Sequence, residues 1–170
     1  MRSASPYAML RTAASAAAQE DKLVQVLHLV AIICAAAFTG AAFYINFAEH
    51  PARMQLAPAA ALTQWKPAYK AGFIMQSSLA VLAGVSAIAV TALGGGMLWA
   101  IGGVLLIANW PYTLAAILPL NNRLMAIVPE AADAAVLDRL RFWNRLHAGR
   151  TVLGAAGLAC MVAAALNSNI

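Results

Sequence analysis

Charged residues are scarce in this sequence. They make up 10% of the 170 residues, while hydrophobic residues make up 63%. Soluble globular domains are about a quarter charged and about half apolar, so this composition excludes an ordinary soluble domain and indicates a membrane protein. The six acidic residues stand against eleven lysines and arginines, which gives a formal net charge of +5. The basic residues flank apolar runs, where they suit lipid headgroups, so we expect no nucleic-acid partner.

Cysteine is also nearly absent. Cys34 and Cys160 lie far apart inside apolar runs, which excludes a disulfide framework and a CxxC-dependent thiol oxidase. A cleavable signal peptide is not expected, because the first apolar run begins near Leu23 and is longer than a signal-peptide core. The Ala/Ser-rich residues 1–22 are predicted to be a disordered or interfacial tail, followed by a membrane domain over residues 23–170.

Long apolar segments occupy most of that domain. A helix that crosses about 30 Å of hydrocarbon needs about 20 residues. Four segments reach this length, at approximately 23–47, 71–93, 97–118 and 145–166. Only Gly94-Gly95-Gly96 separates the second from the third, so these two helices should be antiparallel neighbours. Small residues such as Gly102 and Gly103 would allow helices to approach closely. The predicted fold is an all-α, integral membrane four-helix bundle.

The lysines and arginines predict the orientation of the bundle. Three of them, Arg2, Arg11 and Lys22, lie on the side of the tail and the triple-glycine turn. The other eight lie on or beside the two long loops: Arg53, Lys66, Lys70, Arg123, Arg139, Arg141, Arg145 and Arg150. Loops rich in basic residues remain in the cytoplasm. We therefore expect a plasma (inner) membrane protein whose long loops are cytoplasmic.

Polar and aromatic residues gather at the loop-side ends of the predicted helices. The first helix ends in "NFAEHPAR", which places Asn46, Glu49, His50 and Arg53 within two turns. The other helices contribute two sets at spacing i, i+4, i+7, which lie on one helical face. These sets are Trp65, Tyr69 and Gly72 before the second span, and Trp143, His147 and Arg150 at the start of the fourth. Such one-sided sorting favours a functional pocket over a purely structural membrane protein.

The third helix carries "NWPYTLAAILPLNN", residues 109–122. Pro111 cannot donate a backbone hydrogen bond and should kink this helix, and irregular backbone at membrane depth is tolerated where it lines a cavity. Asn109 lies about 14 Å below the predicted end of the span. We expect it to form the floor of a pocket that is entered from the cytoplasmic side.

Each of these patterns also has a simpler interpretation. Glu49 and Arg53 at i, i+4 are typical of an interfacial salt bridge, and His50 before Pro51 is typical of a helix end. The aromatic residues could form a belt at the headgroups. The pair His147 and Arg150 is the stronger signal, because ionisable residues turned toward a bundle interior are functional candidates.

Four motifs in order resemble the anthrone oxygenase-like family of small four-helix membrane proteins. They are a His-Pro after the first helix, Trp-x3-Tyr-x2-Gly, Pro-Tyr-Thr…Pro-x-Asn, and Trp-x3-His-x2-Arg. Here they comprise His50-Pro51, Trp65, Tyr69, Gly72, Pro111-Tyr112-Thr113, Pro119, Asn121, Asn122, Trp143, His147 and Arg150. The resemblance implies a monooxygenase that oxidises a polycyclic, anthrone-like aromatic substrate with O2. The alternative is a small-molecule binding or transport subunit that uses the same pocket.

The implied chemistry assigns roles to these residues. His147 or His50 would remove the acidic C–H proton of the substrate, and Arg150 or Arg53 would stabilise the oxyanion that develops. The substrate would stack on the aromatic side chains, and an amide would hold its carbonyl or a peroxide. These binding residues are Trp143, Tyr112, Trp65 and Tyr69 for stacking, and Asn109, Asn121 and Asn122 for hydrogen bonding.

The predicted partners are the lipid bilayer, a hydrophobic aromatic molecule and O2, with a homo-oligomer left open. The chemistry requires no cofactor, although a single metal ion or a haem is the alternative. Glu49, His50 and His147 resemble a set of two histidines and one carboxylate for a metal. Against this set, adjacent residues on a regular helix diverge by about 100°.

Overall fold

The computed structural model describes residues 6–167, and that part of the chain is helical apart from short connections. The bounds in chain order are α1 Pro6–Tyr44, a π-helical turn Ile45–Glu49, α2 His50–Arg53, α3 Pro58–Ala92, α4 Met97–Ile107, α5 Asn109–Tyr112, a second π-helical turn Thr113–Ile117, α6 Leu118–Ala126, a 3-10 turn Pro129–Ala131 and α7 Ala134–Asn167.

Four stretches of the described chain are long and apolar enough to cross a membrane. We call them spans 1 to 4: Ala14–Arg53, Pro58–Ala92, Met97–Ala126 and Ala134–Asn167. The predicted all-α membrane fold of four helices is therefore confirmed. The predicted segments lie inside these spans, except that the second ends one residue beyond span 2, and the helices continue past the predicted segments on the side of the long loops. The tail is helical from Pro6 onward, while residues 1–5 lie outside the described part.

The spans form a closed bundle in which each span packs on the next in sequence and span 4 packs on span 1. Two apolar cores stabilise it. The one near the triple-glycine turn contains Phe38, Trp99 and Met161. The one near the long loops contains Trp65 and Trp143. A layer of buried polar residues lies between these two cores, as judged by their positions along each span. The layer consists of Asn46, His50, Gln76, Asn109, Thr113, His147 and Arg150.

Glycine allows the helices of this bundle to approach closely. A Cβ on Gly102 would lie 2.8 Å from the carbonyl oxygen of Gly157, and a Cβ on Gly157 would lie 2.9 Å from that of Gly102. Gly84 and Gly103 have the same reciprocal relation between spans 2 and 3. These backbone approaches exclude any side chain, as expected where packing rather than the hydrophobic effect holds helices together in lipid.

The turn between spans 2 and 3 also needs glycine. Gly94 has a φ of 98°, in the left-handed region that glycine adopts without strain. Its N–H donates to the carbonyl of Thr91, and the N–H of the next residue, Gly95, donates to the carbonyl of Val90. This pair of bonds is a Schellman motif, which ends span 2 and turns the chain back into the membrane.

Spans 1 and 3 each contain a π-helical turn at the level of the polar layer. The His50 N–H donates to the carbonyl of Ile45, and the Leu118 N–H donates to that of Thr113, in both cases five residues back. In each span the donor immediately precedes a proline, Pro51 or Pro119. Proline lacks an N–H and its ring clashes with the carbonyl four residues back, so a wider turn accommodates it. Such turns are frequent at functional sites.

Candidate active site

A narrow cavity opens inside the loop-side half of the bundle. All four spans contribute to its wall, which includes Glu49 and Arg53 from span 1, and His147 and Arg150 from span 4. The cavity, including its mouth, encloses about 420 Å³. Its walls are so close together that the centre of a water molecule fits in only about 20 Å³ of this space. A flat aromatic ligand would therefore have to move side chains apart as it enters.

Asn46 fixes the imidazole of His147. The Nδ2 of Asn46 donates to the backbone carbonyl of Asn144 at 3.0 Å and to its side-chain Oδ1 at 2.8 Å. The Oδ1 of Asn46 therefore faces span 4, where it accepts from the Thr151 hydroxyl at 2.6 Å and lies 3.3 Å from Nδ1 of His147. Because this oxygen can only accept, Nδ1 carries the hydrogen in the neutral ring. Nε2 is then left with a free lone pair.

Arg150 follows His147 by one helical turn and lies in the same wall. It is 7% exposed and its guanidinium lies 5.4 Å from the ring centroid of Phe38, a cation–π contact. Within residues 6–167 no carboxylate pairs with it, and its buried Nε has no hydrogen-bond partner. A buried cation without a counter-charge is costly, so this site favours an anionic ligand or an oxygen that becomes negative during a reaction.

Arg53 is held by neighbours on spans 1 and 2. Its guanidinium donates to the carboxylate of Glu49 and to the Oε1 of Gln64. Gln64 in turn donates to Glu49 at 3.0 Å, which closes a three-residue network. The Nη1 of Arg53 is buried and without a partner in the described chain. These hydrogen bonds therefore fix the position of the Arg53 guanidinium, and within the described chain its Nη1 remains available to donate to a ligand.

Aromatic side chains form the wall nearest the long loops. Trp143 stacks on His147 with ring centroids 4.9 Å apart, and Trp65 meets Trp143 edge-on at 5.8 Å. Tyr69 stacks on Trp65 at 5.0 Å with the rings almost parallel. The Trp143 indole donates to Oδ1 of Asn121 at 2.7 Å. This bond leaves the buried Nδ2 of Asn121 without a partner in the described chain.

Gly72 leaves a gap in the wall on span 2. A Cβ built on it would meet no atom within 4 Å, although the residue lines the cavity. One turn further along, Gln76 is 1% exposed, and neither its Oε1 nor its Nε2 has a partner within the described residues. The wall thus offers empty space and unused hydrogen-bonding groups at the same place.

A second, smaller cavity lies between spans 2 and 3. It encloses about 290 Å³ including its mouth and shares Phe73, Thr113 and Arg150 with the first cavity. Asn109 lies in its wall, donating Nδ2 to two backbone carbonyls, while its buried Oδ1 has no partner in the described chain. We expected Asn109 in the floor of one pocket entered from the cytoplasmic side. The structure instead places it beside this lateral cavity.

Three other residues expected in the pocket lie outside the wall of the first cavity. The Tyr112 hydroxyl donates to the carbonyl of Leu146 at 2.7 Å and packs on Gly149, so it joins spans 3 and 4. Asn122 is exposed. His50 is buried, with Nδ1 unpartnered within the described chain, but Glu49 and Arg53 occupy the face of span 1 that lines the cavity.

Known proteins resemble this chain in sequence. The family model for anthrone oxygenase matches residues 65–160, more than half of the chain. A curated anthrone oxygenase from Claviceps purpurea (strain 20.1) is 30% identical over 145 residues, which cover 77% of this chain and 83% of the relative. The chain belongs to the anthrone oxygenase family. No solved structure matches it.

The resemblance to the anthrone oxygenase family that the motifs indicated is thus confirmed. The matched region runs from Trp65 to Cys160 and includes the wall residues of spans 2, 3 and 4. The Asn46 amide that orients His147 lies outside that region, on span 1. In this chain, span 1 forms the part of the cavity wall that spans 2, 3 and 4 do not provide.

The donor groups around the cavity fit a metal ion poorly. Within the described residues, no three histidine, cysteine, aspartate or glutamate side chains gather closely enough to hold one. Of the set suggested by the sequence, Glu49 is engaged by Arg53 and Gln64, and Nδ1 of His147 faces the Asn46 amide. The Nε2 of His147 and the guanidinium of Arg150 therefore remain available to an organic ligand.

Several residues of the site were not found from the sequence. Gln64 and Gln76 were missed because they stand alone in their segments, without the spacing that drew attention to Trp65 and Tyr69. Thr151 and Asn144 were missed because nothing in the sequence pairs them with a residue about a hundred positions away. The signal that could have found Gln76 is its polar amide in the middle of an apolar span, where a polar side chain needs a partner or a cavity.

Proposed function

We propose that this protein is a membrane-embedded oxygenase that oxidises an anthrone-like polycyclic aromatic with O2 in the first cavity. One observation carries the proposal. His147, whose Nε2 keeps its lone pair, and Arg150, which has no acidic partner within the described residues, line one aromatic-walled cavity a single helical turn apart. The name of the Claviceps relative, anthrone oxygenase, supports the same reaction class.

The first step uses the acidity of the substrate. The central CH₂ of an anthrone lies between two aromatic rings and is conjugated with the carbonyl. The Nε2 of His147 takes one of its protons, and the remaining electron pair delocalises onto the carbonyl oxygen. The Arg150 guanidinium stabilises that oxyanion, and its effect is large because the site is buried. Trp143, stacked on His147, provides the surface on which the flat substrate lies.

The second step consumes O2. The carbanion passes one electron to O2, and the resulting carbon radical and superoxide combine to form a C–O bond. The peroxide takes the proton held by His147, giving a hydroperoxide. His147 then removes the second C–H proton while the O–O bond breaks, and the departing hydroxide takes this proton from His147 and leaves as water. The balance is CH₂ + O2 → C=O + H2O, which produces a quinone.

The unpartnered donors of the wall suit the oxygens of such a substrate. Arg53, Trp65 and Asn121 each have a buried donor nitrogen without a partner in the described chain. They lie toward the long loops, whereas Arg150 lies deeper in the bundle. An aromatic molecule with oxygens on two edges would meet donors at both ends, which supports an oxygenated substrate over a plain hydrocarbon.

The charge distribution and the helix lengths support a cytoplasmic location for the cavity. Span 2 has 35 residues, about 52 Å at 1.5 Å per residue, so its loop-side end extends beyond about 30 Å of hydrocarbon. We place this end, with its excess of basic residues, on the cytoplasmic side of the plasma membrane. The aromatic substrate then enters from the headgroup region.

Oxygen uptake by the purified protein tests the proposal. Dithranol, a dihydroxylated anthrone, is added to protein in lipid nanodiscs, and O2 uptake and quinone formation are followed together. We expect one O2 per quinone and a loss of about 10²-fold or more in rate for His147→Gln. His28→Gln is the matched control, because His28 lies near Trp99 in the opposite core. Binding without turnover in the wild type would contradict the proposal and support a carrier.

A further inference from the structure

The second cavity is separated from the first by residues that belong to both. Phe73 of span 2, Thr113 of span 3 and Arg150 of span 4 line both spaces. Among the described residues of the second wall, Arg150 is the ionisable one, and Phe73, Ala80 and Leu114 give it an apolar surface beside the polar Ser77, Asn109 and Thr113. The described wall therefore lacks a base, and its narrow space suits a small ligand.

The mouth of the second cavity faces outward between spans 2 and 3. Leu114 is 52% exposed and Trp110 is 44% exposed, and both are in its wall. The twenty residues needed to cross the hydrocarbon, counted back from Ala92 at the end of span 2, begin at Phe73. Ser77 and Ala80 therefore lie at hydrocarbon depth, and the mouth opens to lipid tails.

We propose that the second cavity is the compartment through which O2 passes from the bilayer to the carbanion in the first cavity. O2 is apolar, small enough for a narrow space and more soluble in hydrocarbon than in water. It would reach the substrate where the two cavities share Thr113 and Arg150. The superoxide formed there by electron transfer is an anion, and the guanidinium of Arg150, which has no acidic partner in the part of the chain that the structure describes, is in place to stabilise it. This inference rests on the proposed oxygenase function.

Adjacent serines on span 2 provide the test. Ser77 lines the second cavity, whereas Ser78 is exposed and donates its hydroxyl to the carbonyl of Ile74. Ser77→Leu fills the compartment, and Ser78→Leu adds the same side chain to the lipid-facing surface. Rates of dithranol oxidation are measured in nanodiscs at several O2 concentrations and several dithranol concentrations. We expect Ser77→Leu to lower kcat/KM for O2 by threefold or more and to leave the KM for dithranol unchanged. Ser78→Leu should change neither value.

Leu114→Trp is a second test at the exposed mouth, which does not disturb the packed interior. It should also lower kcat/KM for O2 selectively, even if Ser77→Leu does not fold. Unchanged O2 kinetics in the folded variants would overturn the inference while leaving the oxygenase function intact. A changed KM for dithranol with normal O2 kinetics would also overturn it, because the cavity would then hold part of the organic substrate. If the wild type consumes no O2, the proposed function itself fails.

Discussion

Arg150 introduces a positive charge into the bundle interior without an acidic neighbour in the described chain. Its guanidinium lies over the Phe38 ring, and the residue lines both cavities. A residue that served only packing would be an apolar side chain at less cost. The proposed role of Arg150 is to stabilise negative charge that appears on the substrate and on reduced oxygen.

Arg150→Gln should lower kcat by about 10²- to 10³-fold, the range observed when a donor that stabilises an oxyanion is removed. Arg145→Gln is the control, since Arg145 is exposed on the same helix. The measurement is dithranol oxidation in nanodiscs, with circular dichroism to verify that both variants are folded. A loss confined to folding, with the remaining folded protein fully active, would contradict the assigned role.

Gly72→Phe should raise the KM for dithranol about tenfold or more, equivalent to about 1.4 kcal/mol of lost binding. The physical reason is that Gly72 leaves space in the cavity wall, and a phenyl ring would occupy it. Gly40→Phe is the matched control, because Gly40 is also open around its Cα but faces outward. If both variants bind dithranol like the wild type, the substrate does not use this part of the wall.

At the scale of the helix, two local devices shape the site. The π-helical turns before Pro51 and Pro119 widen spans 1 and 3 at the polar layer. The reciprocal glycine contacts narrow the bundle on the other side of that layer. Helices that are closer near the triple-glycine turn and wider near the long loops leave room between them for the first cavity on the loop side.

Gly157→Ala should destabilise the bundle by about 1–3 kcal/mol, the usual cost of overpacking. The added Cβ would lie 2.1 Å from a methyl of Leu106 and 2.9 Å from the carbonyl oxygen of Gly102, and backbone cannot easily move away. Thermal unfolding in detergent, followed by circular dichroism, gives the comparison. Gly40→Ala has no such contact and should unfold at or slightly above the wild-type temperature, because alanine favours helix over glycine. Equal melting temperatures would show that the close approach is not needed.

At the scale of the whole molecule, the sequence was sufficient to predict the fold. Four apolar runs and the triple glycine predicted the bundle, because membrane crossing imposes a length that composition reveals directly. The spacing of Trp143, His147 and Arg150 predicted their shared face, because a regular helix repeats every 3.6 residues. Spans 2 and 4 keep that period through the site.

The parts that the sequence did not reveal depend on irregular backbone and on distant contacts. Asn109 was expected below a single cytoplasmic pocket, but span 3 is interrupted at Ala108 and contains a π-helical turn, so counting residues along a straight helix misplaced it. The Asn46 bond to Asn144 joins the first and last spans, and no local pattern predicts such a pairing. The division of the expected single pocket into two adjoining cavities follows from packing alone.

The orientation of the molecule gives a separate prediction. In a background of Cys34→Ala and Cys160→Ala, Gly96→Cys should react with a membrane-impermeant maleimide on intact cells. Gln55→Cys, in the loop between spans 1 and 2, should react only after the cells are opened. Both positions are exposed in the structure, so burial does not bias the comparison. The opposite labelling pattern would place the first cavity on the outer face.

The most direct measurement of the central claim is deuterium exchange into the CH₂ group of dithranol without oxygen. It isolates proton removal from every later step. In D2O, the wild-type protein should accelerate exchange above the buffer rate, and His147→Gln should reduce it to that rate while still binding dithranol, as judged by tryptophan fluorescence quenching. Exchange at the wild-type rate in His147→Gln would contradict the account, because another group would then be the base.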